Sequence, residues 1–303
     1  MSSKIKLTFL GTSDAIPSAK RNHTSILLTY NEENILIDCG EGTQRQFRKA
    51  KLNPCKITRI LISHWHGDHI LGIPGLLQTL VLNNYNKTLL VYGPPGTKKF
   101  LSLILRMFIF TGKLKIEIKE IRIGRFIETK DFYIEALPLT HTTSCLAYSF
   151  SEKDKLKIDK EKMKKLDIPP SPLVQKLKEG KTIKFEGREI KSNDVTYKEK
   201  GKKISFIFDT GLTSNCFRIS KNSDLLICES TYTQSEKQLA KKYKHLTSQD
   251  AALIAKKSGV KKLILTHISQ RYDNKEKMVL DEAKKIFKNT EIAEDLMEIE
   301  VWI

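Results

Sequence analysis

Ile60-Leu-Ile-Ser-His-Trp-His-Gly-Asp-His69 is the stretch on which the reading of this 303-residue chain turns. Ile60–Ile62 is a short unbroken apolar run, the pattern of a strand covered on both faces. Three imidazoles and a carboxylate follow within six residues. His64 and His66 stand two apart, so in extended backbone they project to one side. Asp68 and His69, in the ensuing turn, can face a point a few ångströms away. Imidazole nitrogens and carboxylate oxygens suit Zn²⁺ or Mn²⁺, and the set holds no thiolate. The competing reading is a solvated histidine-rich turn, which four donors directly behind a buried strand disfavour.

One turn supplies too few donors for a metal centre, and three more stand at the ends of apolar runs. His141 follows Ile134–Leu139, Asp209 follows Ile204–Phe208, and His267 follows Leu263–Thr266. Singly, each reads equally well as a satisfied polar group at a strand terminus. Together they form a candidate site, because layered α/β proteins build their sites beyond strand ends.

Composition narrows the class. Of the 53 cationic residues 43 are Lys; against 35 acidic residues they give a net charge of +18 and a pI near 9.5. A lysine-rich surface has bland causes, such as heat adaptation, but it also favours a polyanionic partner. The excess is placed: residues 289–303 hold five acids and neither Lys nor Arg. At 40% hydrophobic residues the chain can bury a core, in one large domain or two smaller ones. The most apolar stretch, Leu101–Phe110, is interrupted by Arg106 and falls short of the ~18 residues a membrane helix needs. Ile5–Gly11 reads as a strand and not as a signal peptide. Five scattered cysteines without a C-x-x-C pair point to reduced thiols and a cytoplasmic setting.

Strand-like runs recur at Ile5–Leu10, Thr24–Tyr30, Asn34–Asp38, Thr58–Ser63, Thr88–Tyr92, Phe132–Leu137, Cys145–Phe150, Ile204–Asp209, Asp224–Cys228, Lys262–Thr266 and Met297–Ile303. Helical spacing marks Gly42–Ala50, Ile73–Leu82, Thr97–Phe110, Ser235–Tyr243, Thr247–Ser258 and Lys275–Phe287, with Thr247 or Ser248 as a cap and Gly259 as a stop. This predicts a layered α/β or α+β fold. Ser151–Lys203 departs from the pattern, with 17 basic and 10 acidic residues, weak strands and Ile168-Pro-Pro-Ser-Pro172. It reads as an insertion projecting from the core, without an apolar centre of its own.

His64-x-His66-x-Asp68-His69 followed by His141, Asp209 and His267 resembles the metallo-β-lactamase superfamily. Phe9–Ser13, Pro17-Ser18 with Arg21-Asn22, Asp38-Cys-Gly-Glu-Gly-Thr-Gln-Arg-Gln46 and Leu265–Tyr272 narrow the resemblance to ribonuclease Z, the tRNA 3′-processing endonucleases. It implies a four-layer αββα sandwich over residues 1–303, with 151–203 as an inserted flexible arm that grips tRNA. It implies two Zn²⁺ per chain, with Mn²⁺ as the other candidate: one held by His64, His66 and His141, the other by Asp68, His69 and His267, with Asp209 bridging. Asp68 becomes the general base, His245 the general acid oriented by Glu229, and Asp38 a support for a ligand imidazole. Ser18, Arg21, Arg271, Pro172, Lys176 and Lys178 are the implied substrate contacts. Cys228 stands for the first His of the family's His-Glu-Ala-Thr, and Ser171-Pro172 for its Gly-Pro. The resemblance also implies precursor tRNA as substrate, a homodimer and no membrane. Two other readings compete: a phosphodiesterase of the same fold acting on small or cyclic phosphodiesters, and a basic RNA-binding protein with a structural metal. The Asp38–Gln46 stretch and the basic arm oppose the first, and the spare Glu229–His245 pair opposes the second.

Overall fold

Alternation of apolar side chains along most of these runs builds two seven-stranded sheets. The computed structural model describes residues 4–109 and 114–301. In it the first sheet has the order Glu298–Val301, Ile5–Gly11, Ser25–Tyr30, Glu33–Ile37, Arg59–Leu61, Thr88–Gly93, Lys115–Glu120. The second runs Thr290–Ile292, Lys262–Thr266, Leu225–Glu229, Lys203–Ile207, Ser144–Glu152, Phe132–Thr140, Gly124–Glu128.

The inner faces meet where Leu28, Ile35, Ile37 and Leu61 oppose Ile134, Tyr148, Phe150 and Phe206. Tyr148 donates its hydroxyl to the Ile62 carbonyl at 2.7 Å, tying one sheet to the other. The alternate residues face outward and are covered by helices. Leu36, Ile60 and Val91 pack under Thr43–Lys49, Ile73–Leu82 and Thr97–Met107. Ile207, Leu226, Cys228 and Leu265 pack under Ser214–Ser220, Ser248–Lys257 and Glu276–Lys284. The result is four layers, αββα, as the family resemblance implies. Thr247 caps its helix in a reciprocal box with Asp250, and Gly259 closes it at φ 66°.

Each sheet contains a parallel block. Ile37 is in register with Leu61, and Ile207 with Cys228 and Leu265. Parallel strands end on the same edge of a sheet, so the residues after Ile37, Leu61, Ile207, Cys228 and Leu265 emerge together. Asp38, His64, Asp209, Glu229 and His267 follow those strand ends, and His141 reaches the same edge from the turn between Phe132–Thr140 and Ser144–Glu152.

Several elements escaped the sequence reading. Lys115–Glu120 is an edge strand with charged alternate residues, Gly124–Glu128 is a short edge strand carrying Arg125 and Glu128, and Ser214–Ser220 is a helix too short and polar to show a period. Phe110, Trp302 and Ile303, expected at element ends, lie outside the described residues.

Residues 151–202, with 129–133, form a second compact unit. It contains the pairs Lys155–Ile158 with Thr196–Glu199 and Ile183–Phe185 with Arg188–Ile190, and the helices Lys160–Lys165 and Leu173–Lys178. The expectation that it lacks an apolar centre is corrected. Met163, Ile168, Leu177, Ile183, Ile190 and Val195 are buried together, because the isolated apolar residues of this lysine-rich stretch fall on one side of its short elements.

The loop after Glu33–Ile37 lies backbone to backbone on the turn that carries Asp68 and His69. Cys39 donates its amide to the His69 carbonyl at 2.8 Å, and Gly72 donates to Cys39 at 2.9 Å. A Cβ on Gly40 would come within 2.4 Å of the Asp68 carbonyl oxygen. Close approach therefore explains Gly40, while Gly42 adopts φ 77° at the start of a helix. Gly40→Ala should cost roughly 1–3 kcal/mol in denaturant unfolding, because backbone on both sides must move. Gly75→Ala, whose Cβ meets only the flexible end of Gln44, should be neutral or stabilising by helix propensity. Equal stability of Gly40→Ala and the native protein would show that the loop does not need this contact.

Candidate metal centre

His64 and His66 follow the strand Arg59–Leu61, and Asp68 and His69 sit in the one-turn helix Gly67–Ile70. His141 comes from the turn joining Phe132–Thr140 to Ser144–Glu152; Asp209 and His267 follow Lys203–Ile207 and Lys262–Thr266. All seven side chains converge. His64, His66, His141 and Asp209 form one group, and Asp68, His69, His267 and Asp209 another, the donor atoms of each lying within 4.8 Å of one another.

Asp209 belongs to both groups and divides its carboxylate between them. Its Oδ2 lies 3.5 Å from His64 Nε2 and 3.7 Å from His141 Nε2. Its Oδ1 lies 3.3 Å from His69 Nε2 and 3.1 Å from His267 Nε2. Burial alone would push this carboxyl up, but His267, His69 and His64 hold it well below the usual range, so it is ionised.

The outward nitrogens of these rings are already committed. His141 Nδ1 donates to the Lys244 carbonyl at 3.0 Å, and His69 Nδ1 lies 2.7 Å from Asp38 Oδ2. Thr231 donates its hydroxyl to Glu229 at 2.6 Å, so its lone pairs receive His267 Nδ1–H at 2.9 Å. Ser63 repeats the device, donating to Asp38 at 2.7 Å with His64 Nδ1 3.0 Å away. With Nδ1 committed, Nε2 of each ring turns inward, and on His69 and His267, whose pKa values the neighbouring carboxylates raise, its lone pair becomes available when a cation displaces the proton. His66 differs, presenting Nδ1 inward, 3.1 Å from His141 Nε2. Two imidazole nitrogens at that range either share a proton or ligate a common cation. His64 Nε2 and Asp209 Oδ1 are moreover buried without a hydrogen-bond partner. Buried polar atoms left in this way carry an unmet cost. The donor set therefore fits a pair of divalent cations. Burial lowers the His141 pKa to about 4, so that ring is neutral and free to ligate at neutral pH.

Beside the seven donors stands a second device. Glu229 is fully buried, accepts the Thr210 amide at 2.7 Å, and lies 3.1 Å from His245 Nδ1. Burial would lower the His245 pKa, but the Glu229 carboxylate outweighs it and raises the value to about 9. His245 also lines the cleft that contains His66, Asp68, His141 and His267, so it offers a proton there.

The remaining sequence candidates divide. Asp38 accepts Ser63 through both its backbone and its hydroxyl and holds His69, as expected of a support. Arg271 lines the cleft, stacked 5.0 Å over the Tyr232 ring. Arg21 is corrected: it is buried and donates to Thr12 and to the Ala293 carbonyl, so its guanidinium braces a loop and is not free for phosphate. Ser18 spends its hydroxyl on the amides of Lys20 and Arg21, a turn contact. Pro172, Lys176 and Lys178 belong to the helix Leu173–Lys178 and its cap in the second unit, with both lysines exposed. Ser171 has no positive φ, so a serine at this place meets no left-handed strain. Cys228 points away from the site into the helix-covered core. Sequence reasoning missed Ser63 and Thr231 as holders of ligand rings. Both stand next to or two residues from a chemically obvious neighbour, and only the fold shows that their hydroxyls connect two groups.

Comparison with known proteins agrees with this geometry. The chain is 40% identical to a ribonuclease Z of Methanothermobacter thermautotrophicus, over 98% of this chain and 97% of that protein. It is 41% identical to a ribonuclease Z of Listeria welshimeri, over 98% and 99%. A family model described as "Anti-Pycsar protein Apyc1" matches residues 5–151. Among solved structures, the short form of human tRNase Z aligns with TM-score 0.71 and 27% identity, covering 98% of this chain and all of that one. YhfI of Bacillus subtilis, a metallo-β-lactamase-fold protein, aligns with TM-score 0.70 at 21% identity, a likeness of fold.

Substitutions at two positions test the arrangement by metal content. Asp209→Ala should reduce bound metal from about two ions per chain to below one, since one carboxylate serves both groups; retention of one tightly held ion would show that the groups are independent. Thr231→Val should weaken metal affinity roughly 10–100-fold, with Thr231→Ser near the native value, as expected of a hydroxyl that orients a ligand ring. Equal loss in both variants would assign the residue to packing.

Proposed function

The chain belongs to the ribonuclease Z family of tRNA 3′-processing endonucleases, and on that premise we propose how its residues remove the 3′ trailer of precursor tRNA. His64, His66, His141 and Asp209 hold one cation and Asp68, His69, His267 and Asp209 the other, with Zn²⁺ as the first candidate and Mn²⁺ as the second. Cations in these places supply Lewis-acid stabilisation of the phosphate and an activated water. Asp68 accepts the proton of the attacking water. Burial opposes its ionisation, but His69 and His267 hold its carboxyl far below the usual range. His245, protonated beside Glu229, gives its Nε2 proton to the departing 3′-oxygen. One O–P bond forms as the P–O3′ bond breaks, leaving a 3′-hydroxyl on the tRNA and a 5′-phosphate on the trailer.

The observation that carries this reading is the pair formed by buried Glu229 and half-buried His245, abutting the divided donor set. A metal site that only stabilised the fold would be closed and would need no acid. We further propose that residues 151–203 form the arm that grips tRNA, supported by the exposed Lys176 and Lys178 and by the compactness of that unit. A homodimer, which the resemblance implies, and a cytoplasmic setting, supported by the substrate and five free thiols, belong to the same proposal.

The acid is tested by pH. His245 is protonated below about pH 9, so single-turnover cleavage should fall as pH rises through that value. Glu229→Gln removes the charge that lifts the pKa, and the fall should move toward the ordinary imidazole value of ~6.5. His245→Ala should lower the rate roughly 10²–10⁴-fold, and much less on an activated aryl phosphodiester whose leaving group needs no proton. An undiminished defect on that ester would make His245 a binding or folding residue.

The arm is tested by deletion. The Glu152 amide donates to the Lys202 carbonyl at 2.8 Å, so a short glycine linker can replace 154–200. The shortened enzyme should still cut the aryl phosphodiester but bind precursor tRNA weakly, with a flatter salt dependence. Unchanged tRNA affinity and salt slope would leave the arm without this role.

A further inference from the structure

The cleft contains one carboxylate that neither metal group nor the acid pair uses. Asp14 lines it together with His245 and His267, and it is 9% exposed. The backbone fixes it there: the Asp14 amide donates to the Ile268 carbonyl, and the Ile268 amide donates to the Thr12 carbonyl at 3.0 Å. Its Oδ1 accepts the Ile16 amide at 3.1 Å, a local turn that fixes the side chain. Ser269 stands beside the carboxyl and receives Arg271 Nε at 3.2 Å, and Arg271 covers Tyr232. Asp14 thus begins a continuous cleft wall that ends in a cation and an aromatic ring.

A fixed carboxylate in a cleft that must admit a polyanion is unfavourable toward phosphate and can only accept hydrogen bonds. The donors of an RNA strand are ribose 2′-hydroxyls and base amino or imino groups. The 2′-hydroxyl lies on the carbon next to the 3′-oxygen, so a ribose whose 3′-oxygen faces His245 brings its own 2′-hydroxyl to the same part of the cleft. Asp14 lies near enough to His245 to act on it electrostatically. We propose that Asp14 is a specificity-determining residue that accepts a hydrogen bond from the 2′-hydroxyl of the nucleotide whose 3′-oxygen departs. This rests on the reading of His245 as the group that protonates that oxygen. The attacking nucleophile is water, so the 2′-hydroxyl takes no part in the chemistry; it is read, which favours RNA over DNA at the cut.

The test pairs two substrates with three enzymes. Precursor tRNA, all-ribose or with a single 2′-deoxy residue 5′ of the cut, is cleaved by the native protein, Asp14→Ala and Asp14→Asn. The native enzyme should lose about tenfold or more in kcat/KM on the deoxy substrate, the worth of a hydrogen bond to a charged group. Asp14→Ala should lose a similar factor on the all-ribose substrate and show no further loss on the deoxy one. Asp14→Asn, which retains an acceptor and the turn, should fall between. A purely structural role would slow both substrates alike and leave the deoxy penalty in place, which overturns the proposal, as does a native enzyme indifferent to the deoxy residue. If the Asp14 coupling moves instead to an analogue lacking the base amino group, the 2′-hydroxyl is not the donor. His245→Ala on the aryl phosphodiester separates the two readings: a persistent defect there together with a vanished coupling fails both, whereas a normal His245 result with no coupling fails only Asp14.

Discussion

A single buried carboxylate, divided between two sets of imidazoles, is the constraint on which the rest of this structure depends. Asp209 is 2% exposed and faces His64 and His141 with one oxygen, His69 and His267 with the other. Burying so many ionisable groups together is unfavourable unless each is hydrogen-bonded, paired or ligated. The fold meets the condition by register. Parallel strands in both sheets end on one edge, and the backbone contact at Gly40 seats the Asp68–His69 turn against the loop that carries Asp38.

The same economy governs the groups behind the ligands. Two buried carboxylates, Asp38 and Glu229, each serve one imidazole directly and a second through a hydroxyl. Asp38 holds His69 directly and His64 through Ser63; Glu229 holds His245 directly and His267 through Thr231. The pairing ties the proton donor to the metal-binding half of the site: the carboxylate that raises the His245 pKa also sets which nitrogen of His267 points inward. A nuclease gains from that link, because attack on the phosphate and protonation of the leaving oxygen must occur in one geometry.

Much of this is legible in the amino-acid sequence. The seven candidate ligands are readable because His64, His141, Asp209 and His267 each follow an apolar run, with His66, Asp68 and His69 crowded directly behind the first. Asp38, Glu229 and His245 were found through motif resemblance; nothing in their spacing places them at the site. Lys115–Glu120 is hidden because an edge strand carries charge on alternate residues, and Gly124–Glu128 because it is short and holds Arg125 and Glu128 around only two apolar residues. Arg21 was misread because a cation near a motif suggests phosphate, while its actual partners, Thr12 and the Ala293 carbonyl, include one distant in sequence. The core of the 151–202 unit was hidden for a related reason: its six buried residues are scattered among lysines, and only the pairing of short elements brings them together. Ser63 and Thr231 show the limit most clearly, since a hydroxyl's role is set by what lies on its two sides.

The measurement that tests the central claim most directly is the mapping of product ends on precursor tRNA, with and without chelator. The account predicts a single cut at the 3′ side of the tRNA, a 3′-hydroxyl on the tRNA and a 5′-phosphate on the trailer, loss of cutting with chelator, and recovery on adding Zn²⁺. A 2′,3′-cyclic phosphate, or undiminished cutting in chelator, would contradict it, because neither is compatible with water attack at a site built around Asp209.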